Sequence, residues 1–192
     1  MGDKQMTPRT TALAAALALV ASLLTATGAA TAAPARDIGV GLPAVVDAAK
    51  AKAGAEHPDA GFYGVAAELD QPPVTEVDGI RGWRVHFTVH QQTNGFTYVY
   101  DVDGGYRRTE DWIPVGMYGL VDPFTMVEEK ALAVLRLNGF RQPFSELVLV
   151  QRREVDTEPV YFFCLEGEGQ DRATGVGTNT QNVYPDQFDC NT

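Results

Sequence analysis

Trp83-Arg84-Val85-His86-Phe87-Thr88-Val89, then Asn94-Gly95, then Phe96-Thr97-Tyr98-Val99-Tyr100-Asp101-Val102 is the stretch on which the fold turns. Trp83, Val85, Phe87 and Val89 alternate with Arg84, His86, Thr88 and His90, the period-2 signature of a half-buried strand. Phe96, Tyr98, Tyr100 and Val102 repeat the pattern. Asn-Gly is a strong two-residue hairpin turn, so the two runs are expected as an antiparallel pair. With Asn94-Gly95 at the tip, Val89 faces Tyr100 and Phe87 faces Val102, and the apolar sides coincide. On the other side Thr88 then faces Asp101 and His86 faces Asp103, a pairing that would raise the His86 pKa. His86 and His90 share that side but stand roughly 13 Å apart, too far for one metal ion.

Working outward, the hairpin belongs to the first of two halves with the same order of elements, a helix followed by three strands. Before the hairpin, Pro43 suits the first turn of a helix. Ala44–Ala53 is helix-favouring, with Gly54 as its expected stop. Phe62–Leu69 reads as a strand, and Gln71–Gly79 as a proline-bearing loop. After the hairpin, residues 107–122 read as a linker containing Trp112 and Pro114. Thr125-Met126-Val127-Glu128 then has the form of a capping box, opening a helix that ends at Asn138-Gly139. Leu147–Val150 and Val160–Leu165 read as apolar strands. Ala173–Tyr184 reads as a last strand, whose Gly175 and Gly177 lie on one side, where a helix could approach closely. The expected fold class is therefore α+β: two helix-plus-three-strand units with antiparallel sheet packed on the helices. The divisions are 33–106, a linker at 107–122, and 123–192.

The first 32 residues have the form of a secretory signal peptide. Lys4 and Arg9 supply a basic start, Thr11–Ala26 a small and apolar run, and Ala30-Thr31-Ala32 a cleavage pattern. The Ala-rich style resembles signal peptides of high-GC Gram-positive bacteria. No cysteine follows the apolar run, which argues against a lipid anchor. Lys4, Arg9 and Asp3 leave with that segment. The remainder then holds 13 basic and 24 acidic residues, a net charge of −11. That charge repels nucleic acid and anionic lipid surfaces. No second apolar run is long enough to span a membrane. Cys164 and Cys190, the two cysteines of the chain, are expected to form a disulfide in an exported protein, closing the second unit. The localisation expected is secreted, outside the cell.

The second half carries a family resemblance in Val127-Glu128-Glu129-Lys130-Ala131-Leu132, then Glu146-Leu147-Val148-Leu149-Val150, then Val160-Tyr161-Phe162-Phe163. A helix followed by strands that wrap across it resembles the cystatin-like and PepSY-like arrangement. The two halves together resemble the tandem of latexin-type carboxypeptidase inhibitors, by element order over about 145 residues. That resemblance implies a protein partner, with an extracellular protease as the sharpest version. The Gln-x-Val-x-Gly loop of papain-inhibiting cystatins is missing. The two corresponding loops read Pro72–Gly79 and Glu154-Val155-Asp156-Thr157-Glu158-Pro159.

Motifs for chemistry are sparse. Asp101-Val102-Asp103-Gly104-Gly105 begins like a calcium loop, but Tyr106 stands where the EF-hand needs glycine. Gly175-Val176-Gly177 lacks a third glycine and a following helix. No serine nucleophile elbow and no His-Glu-x-x-His is present. The expectation is a binding protein without cofactor or metal. Its binding residues are sought on the polar hairpin side at His86, His90, Asp101 and Asp103, and among aromatics near turns, Trp112 and Tyr184 foremost. The competing reading makes the side around His86 and Asp103 a ligand or catalytic pocket, and a third makes the chain a cell-envelope interaction module.

Overall fold

The computed structural model describes residues 41–89, 94–114, 121–153, 155–167 and 172–190. The segment read as a signal peptide and His90 lie outside them. The described residues fall within one compact unit. Its elements run α1 (Leu42–Glu56), β1 (Gly61–Leu69), β2 (Ile80–Val89), β3 (Asn94–Asp101), β4 (Tyr106–Trp112), α2 (Glu128–Leu137), β5 (Phe144–Val150), β6 (Val160–Leu165), β7 (Ala173–Gly177) and β8 (Val183–Tyr184). All eight strands join one antiparallel sheet in the order β4-β3-β2-β1-β5-β6-β7-β8. This corrects the α+β expectation of two helix-plus-three-strand units: among the described residues the fold is largely β, a single eight-stranded sheet with two α-helices.

Two misread segments account for the difference. Residues 107–112, expected within the linker, belong to the edge strand β4. Its side chains Arg107, Arg108, Glu110 and Asp111 hide the strand from a hydropathy reading, because an edge strand can be polar on both sides. Ala173–Tyr184, expected as one strand, is two, joined by a turn at Thr178–Gln181 in which Gln181 has φ +59°.

The seam between the halves is the pairing of β1 with β5, where Gly64, Val65 and Ala66 face Val150, Leu149 and Val148. Gly64 permits it. A Cβ there would stand 2.8 Å from Val150 Cγ1 and 2.9 Å from the Leu149 carbonyl oxygen, so only glycine lets the strands close.

The hairpin forms with a different register. Phe87 faces Phe96, Val85 faces Tyr98 and Trp83 faces Tyr100. Asn94 and Gly95 belong to β3 rather than to a turn. The displacement is an even number of residues, so the apolar sides still coincide. The cross-strand partners do not survive. His86 faces Thr97 instead of Asp103, and Val102 lies beyond the strand, 43% exposed.

Both helices pack on the apolar side of the sheet. Leu42, Val45, Val46, Ala49 and Ala53 of α1 and Ala131, Leu132 and Leu135 of α2 meet Val65, Trp83, Val85, Phe87, Tyr98, Leu147, Leu149, Tyr161 and Phe163 in one core. Gly54 does not stop α1. The helix continues to Glu56, whose carboxylate accepts a 2.6 Å hydrogen bond from Tyr98 Oη and pairs with Lys52. Those tertiary contacts offset the roughly 1 kcal/mol that an interior glycine costs a helix. The capping box is not formed either: Val127 occupies the N-cap position of α2 and no side chain caps it. Glu128 turns inward instead, buried beside the start of α1. The expected end of α2 is observed, with Asn138 as C-cap and Gly139 at φ +93°.

A second apolar cluster covers the opposite side of the β5–β7 region: Val150, Val160, Phe162, Cys164 and Ala173, roofed by Phe188 and Cys190 of the C-terminal segment. The Cys164–Cys190 disulfide ties that segment down, and Ala173 exchanges backbone hydrogen bonds with Gln187 and Phe188. Gly175 faces this side, not a helix. A Cβ there would stand 2.8 Å from both Phe162 and Val160, so the missing side chain makes room for the Phe162 ring.

Candidate functional site

Among the described residues, the side of β1–β4 opposite the two helices carries a connected group of polar and aromatic side chains. A bulge in β1 starts it. Phe62 faces Phe87 and Gly64 faces His86, which leaves Tyr63 as an extra residue outside the ladder. Bulges re-aim side chains. Here Tyr63, only 3% exposed, meets Trp112 edge-on with ring centroids 4.9 Å apart. Trp112 in turn lies 4.6 Å from the His86 ring. Gly95 provides the space, since a Cβ on it would stand 2.7 Å from the indole. His86 Nδ1 is 2.7 Å from Thr97 Oγ1, and Thr97 is fully buried. Enclosed this way, the imidazole has a pKa lowered from 6.5 to about 4, through burial first and the nearby Arg84 guanidinium second. The sequence expectation was the reverse, because it rested on Asp103 as the partner.

Beside the aromatic stack runs an ion-pair array. Arg84 pairs with Glu110 and stands 3.7 Å from Glu68. Arg108 pairs with Glu110 at 2.6 Å. Arg107 reaches Glu68 at 3.0 Å and Asp101 at 3.3 Å. The hydrogen bond from Arg108, with Arg84 adding to it, holds the Glu110 carboxyl below its ordinary value. Such partly exposed pairs contribute little each to stability. Their consequence is order, because interlocked guanidinium forks hold these side chains in one arrangement.

The structure therefore brings together His86, Trp112 and, through Arg107, Asp101. Asp103 is elsewhere, its carboxylate accepting from the Gly105 amide at 3.2 Å inside the β3–β4 turn. Tyr184 lies in the other half of the sheet, where its hydroxyl donates to Glu158 at 3.4 Å. Sequence reasoning missed Tyr63, Thr97, Glu68, Arg84, Arg107, Arg108 and Glu110. Arg84 was legible by its alternation with His86. Arg108, Glu110 and Trp112 also alternate, within a segment assigned to the linker.

Around Tyr184 a cavity of about 190 Å³ is lined by Arg152, Asp156, Glu158 and Gln187 among others. Its polar groups are engaged. Arg152 chelates Asp156, bonds Gln187 at 2.8 Å and lies over the Phe162 ring. Burial alone would raise the Glu158 carboxyl, but donation from Thr180, the Asn179 and Thr180 amides and Tyr184 outweighs it and holds the pKa low. The cluster braces the β7–β8 turn. Among the described residues no three His, Cys, Asp or Glu side chains are placed to hold a metal ion, and no helix is long and apolar enough to cross a membrane.

These features define a largely β protein with one side of its sheet bearing helices and the other bearing an aromatic stack and an arginine–carboxylate array. No family model and no curated protein matches the chain. In fold it is similar to the crystal structure of a "putative lipoprotein" from Clostridium difficile 630. The identity is 15% and the TM-score 0.52, over 78% of this chain and 93% of that one.

Proposed function

We propose that the chain is an exported, non-enzymatic binding protein that engages a protein partner through the helix-free side of β1–β4. One observation carries this reading: the exposed Arg107 and Arg108 stand beside the half-buried Arg84 and Trp112, with Tyr63 and His86 packed against the Trp112 ring. Aromatic residues and arginine are the types enriched at protein interfaces, where they act as anchors. A small-molecule site instead needs a cleft of roughly 300–1,000 Å³, larger than the cavity beside Tyr184.

Export is supported by the form of residues 1–32 and by the disulfide, which suits an oxidising compartment. The absence of a cysteine after the apolar run favours release over lipid anchoring, so the reading is secretion. The fold neighbour's description as a lipoprotein agrees with a place outside the cytoplasm. An extracellular protease is the partner class to try first.

The test places a photo-crosslinking residue at Ala66, in the middle of this side, and at Lys130, exposed on α2, in the full chain expressed with its signal segment. One heterologous protein adduct at 66 and none at 130 is the expected result. Equal adducts at both positions, or none at 66, would remove the proposal. If the adduct is a protease, the purified chain inhibits it at one-to-one stoichiometry.

A further inference from the structure

The two edges of the sheet are unequal. β8 is two residues long, whereas β4 spans seven and, among the described residues, has no strand on its outer side. Tyr106, Arg107, Arg108, Thr109 and Asp111 are exposed along it. A long open edge offers unpaired backbone groups to another strand. We propose that the occupant is a second copy of this chain, paired β4 to β4, antiparallel, with Thr109 on the two-fold axis.

The sequence of β4 is complementary to itself in that one arrangement. With Thr109 opposite Thr109, Arg108 stands opposite Glu110 of the second copy. Two-fold symmetry makes this contact twice, as an isologous interface requires. Moving the axis by one residue either way sets Arg108 against Arg108 or Glu110 against Glu110, and like charges directly opposite are unfavourable. Charge therefore selects the register. Arg108 and Glu110 both lie on the helix-free side, where they face Val99 and Thr97 of β3, so the cross-copy pair forms on one side of the joined sheet. Arg107 is the extra residue of a bulge in β4, which leaves the two Arg108–Glu110 pairs as the contacts that set the register. The joined sheet has sixteen strands, and the two arginine–carboxylate arrays meet at the axis.

The experiment uses the full mature chain with one added cysteine. Directly opposite residues of an antiparallel pair have Cα atoms about 4.5–5.5 Å apart, within disulfide range. Thr109→Cys should therefore form a covalent dimer on mild oxidation. Asp111→Cys should not, because two copies of position 111 stand roughly 13 Å apart in this register. In sedimentation velocity the parent chain should show a concentration-dependent dimer, Arg108→Glu and Glu110→Arg should each be monomeric, and an equimolar mixture of those two should recover the dimer. Failure of Thr109→Cys to crosslink, equal crosslinking at 111, or a dimer that survives Arg108→Glu would overturn the proposal. A self-adduct has twice the chain mass, so this test and the search for a heterologous partner are read separately.

Discussion

Replacing Glu128 with Gln should make the protein more stable at neutral pH while leaving its stability at pH 4 almost unchanged. Glu128 is 5% exposed at the first turn of α2. Its carboxylate faces the Leu42 amide at the start of α1, 3.4 Å away. Glu129 and the Tyr161 phenol are the other titratable groups acting in its neighbourhood. Burial pushes its pKa from 4.5 to about 7, and the Glu129 charge adds to the rise, while the amides of Glu128 and Leu42 pull against it. The folded state therefore holds the proton more tightly than the unfolded chain. The penalty is absent below pH about 4.5, grows as pH rises, and is complete above pH about 7. Across that window it amounts to about 3 kcal/mol. Gln is close in shape, does not titrate, and keeps an oxygen that can accept from Leu42. Urea unfolding of both proteins from pH 4 to pH 8 gives the difference directly, because all other titrating groups cancel. The gap should open by about 3 kcal/mol between pH 4 and pH 8. A difference that does not vary with pH would refute the reasoning.

His86→Gln should show the opposite slope. The folded pKa of His86 is depressed to about 4 from 6.5, so the parent protein loses stability as pH falls through that interval, by about 3 kcal/mol in all. The Gln variant should lack this loss in the same urea series, and a variant that still tracks the parent would count against an enclosed imidazole. Cys164→Ala with Cys190→Ala opens a loop whose ends are 26 residues apart and should cost about 3.5 kcal/mol on the chain-entropy estimate. Trypsin digestion of the double variant should cut first after Arg172, the residue before β7, which bridges to Asp189 of the tied-down segment. Early cleavage within β1–β4 instead would mean that the bond supports the whole sheet.

Side chains that face the core were legible in the sequence, and side chains that face neither core nor partner were not. The alternation in Trp83–Val89 and Phe96–Val102 identified the buried side correctly, since Trp83, Val85, Phe87, Tyr98 and Tyr100 are all at most 3% exposed. Parity alone decides that outcome, so it survived an error in the register. The error itself came from giving Asn94-Gly95 to the turn, when a local turn preference is worth less than the pairing of the strands around it. Every expectation built on cross-strand neighbours fell with it, His86 with Asp103 first. β4 was invisible for another reason: Arg107, Arg108, Glu110 and Asp111 carry no hydropathy signal, and their meaning depends on Glu68 and Arg84, which are distant in sequence. Strand order across the seam was also out of reach. The Gly64 that admits Val150 reads, in sequence, as an ordinary weak point in a strand.

The central claim is that both halves form one continuous sheet, closed where β1 meets β5, so that the helix-free side of β1–β4 is held by a single scaffold. Backbone NOEs in the isotope-labelled mature chain test it most directly. The account predicts cross-strand contacts of Gly64 with Val150, Val65 with Leu149 and Ala66 with Val148. Observing the Val85–Tyr98 contact of the hairpin with none of those three would contradict it.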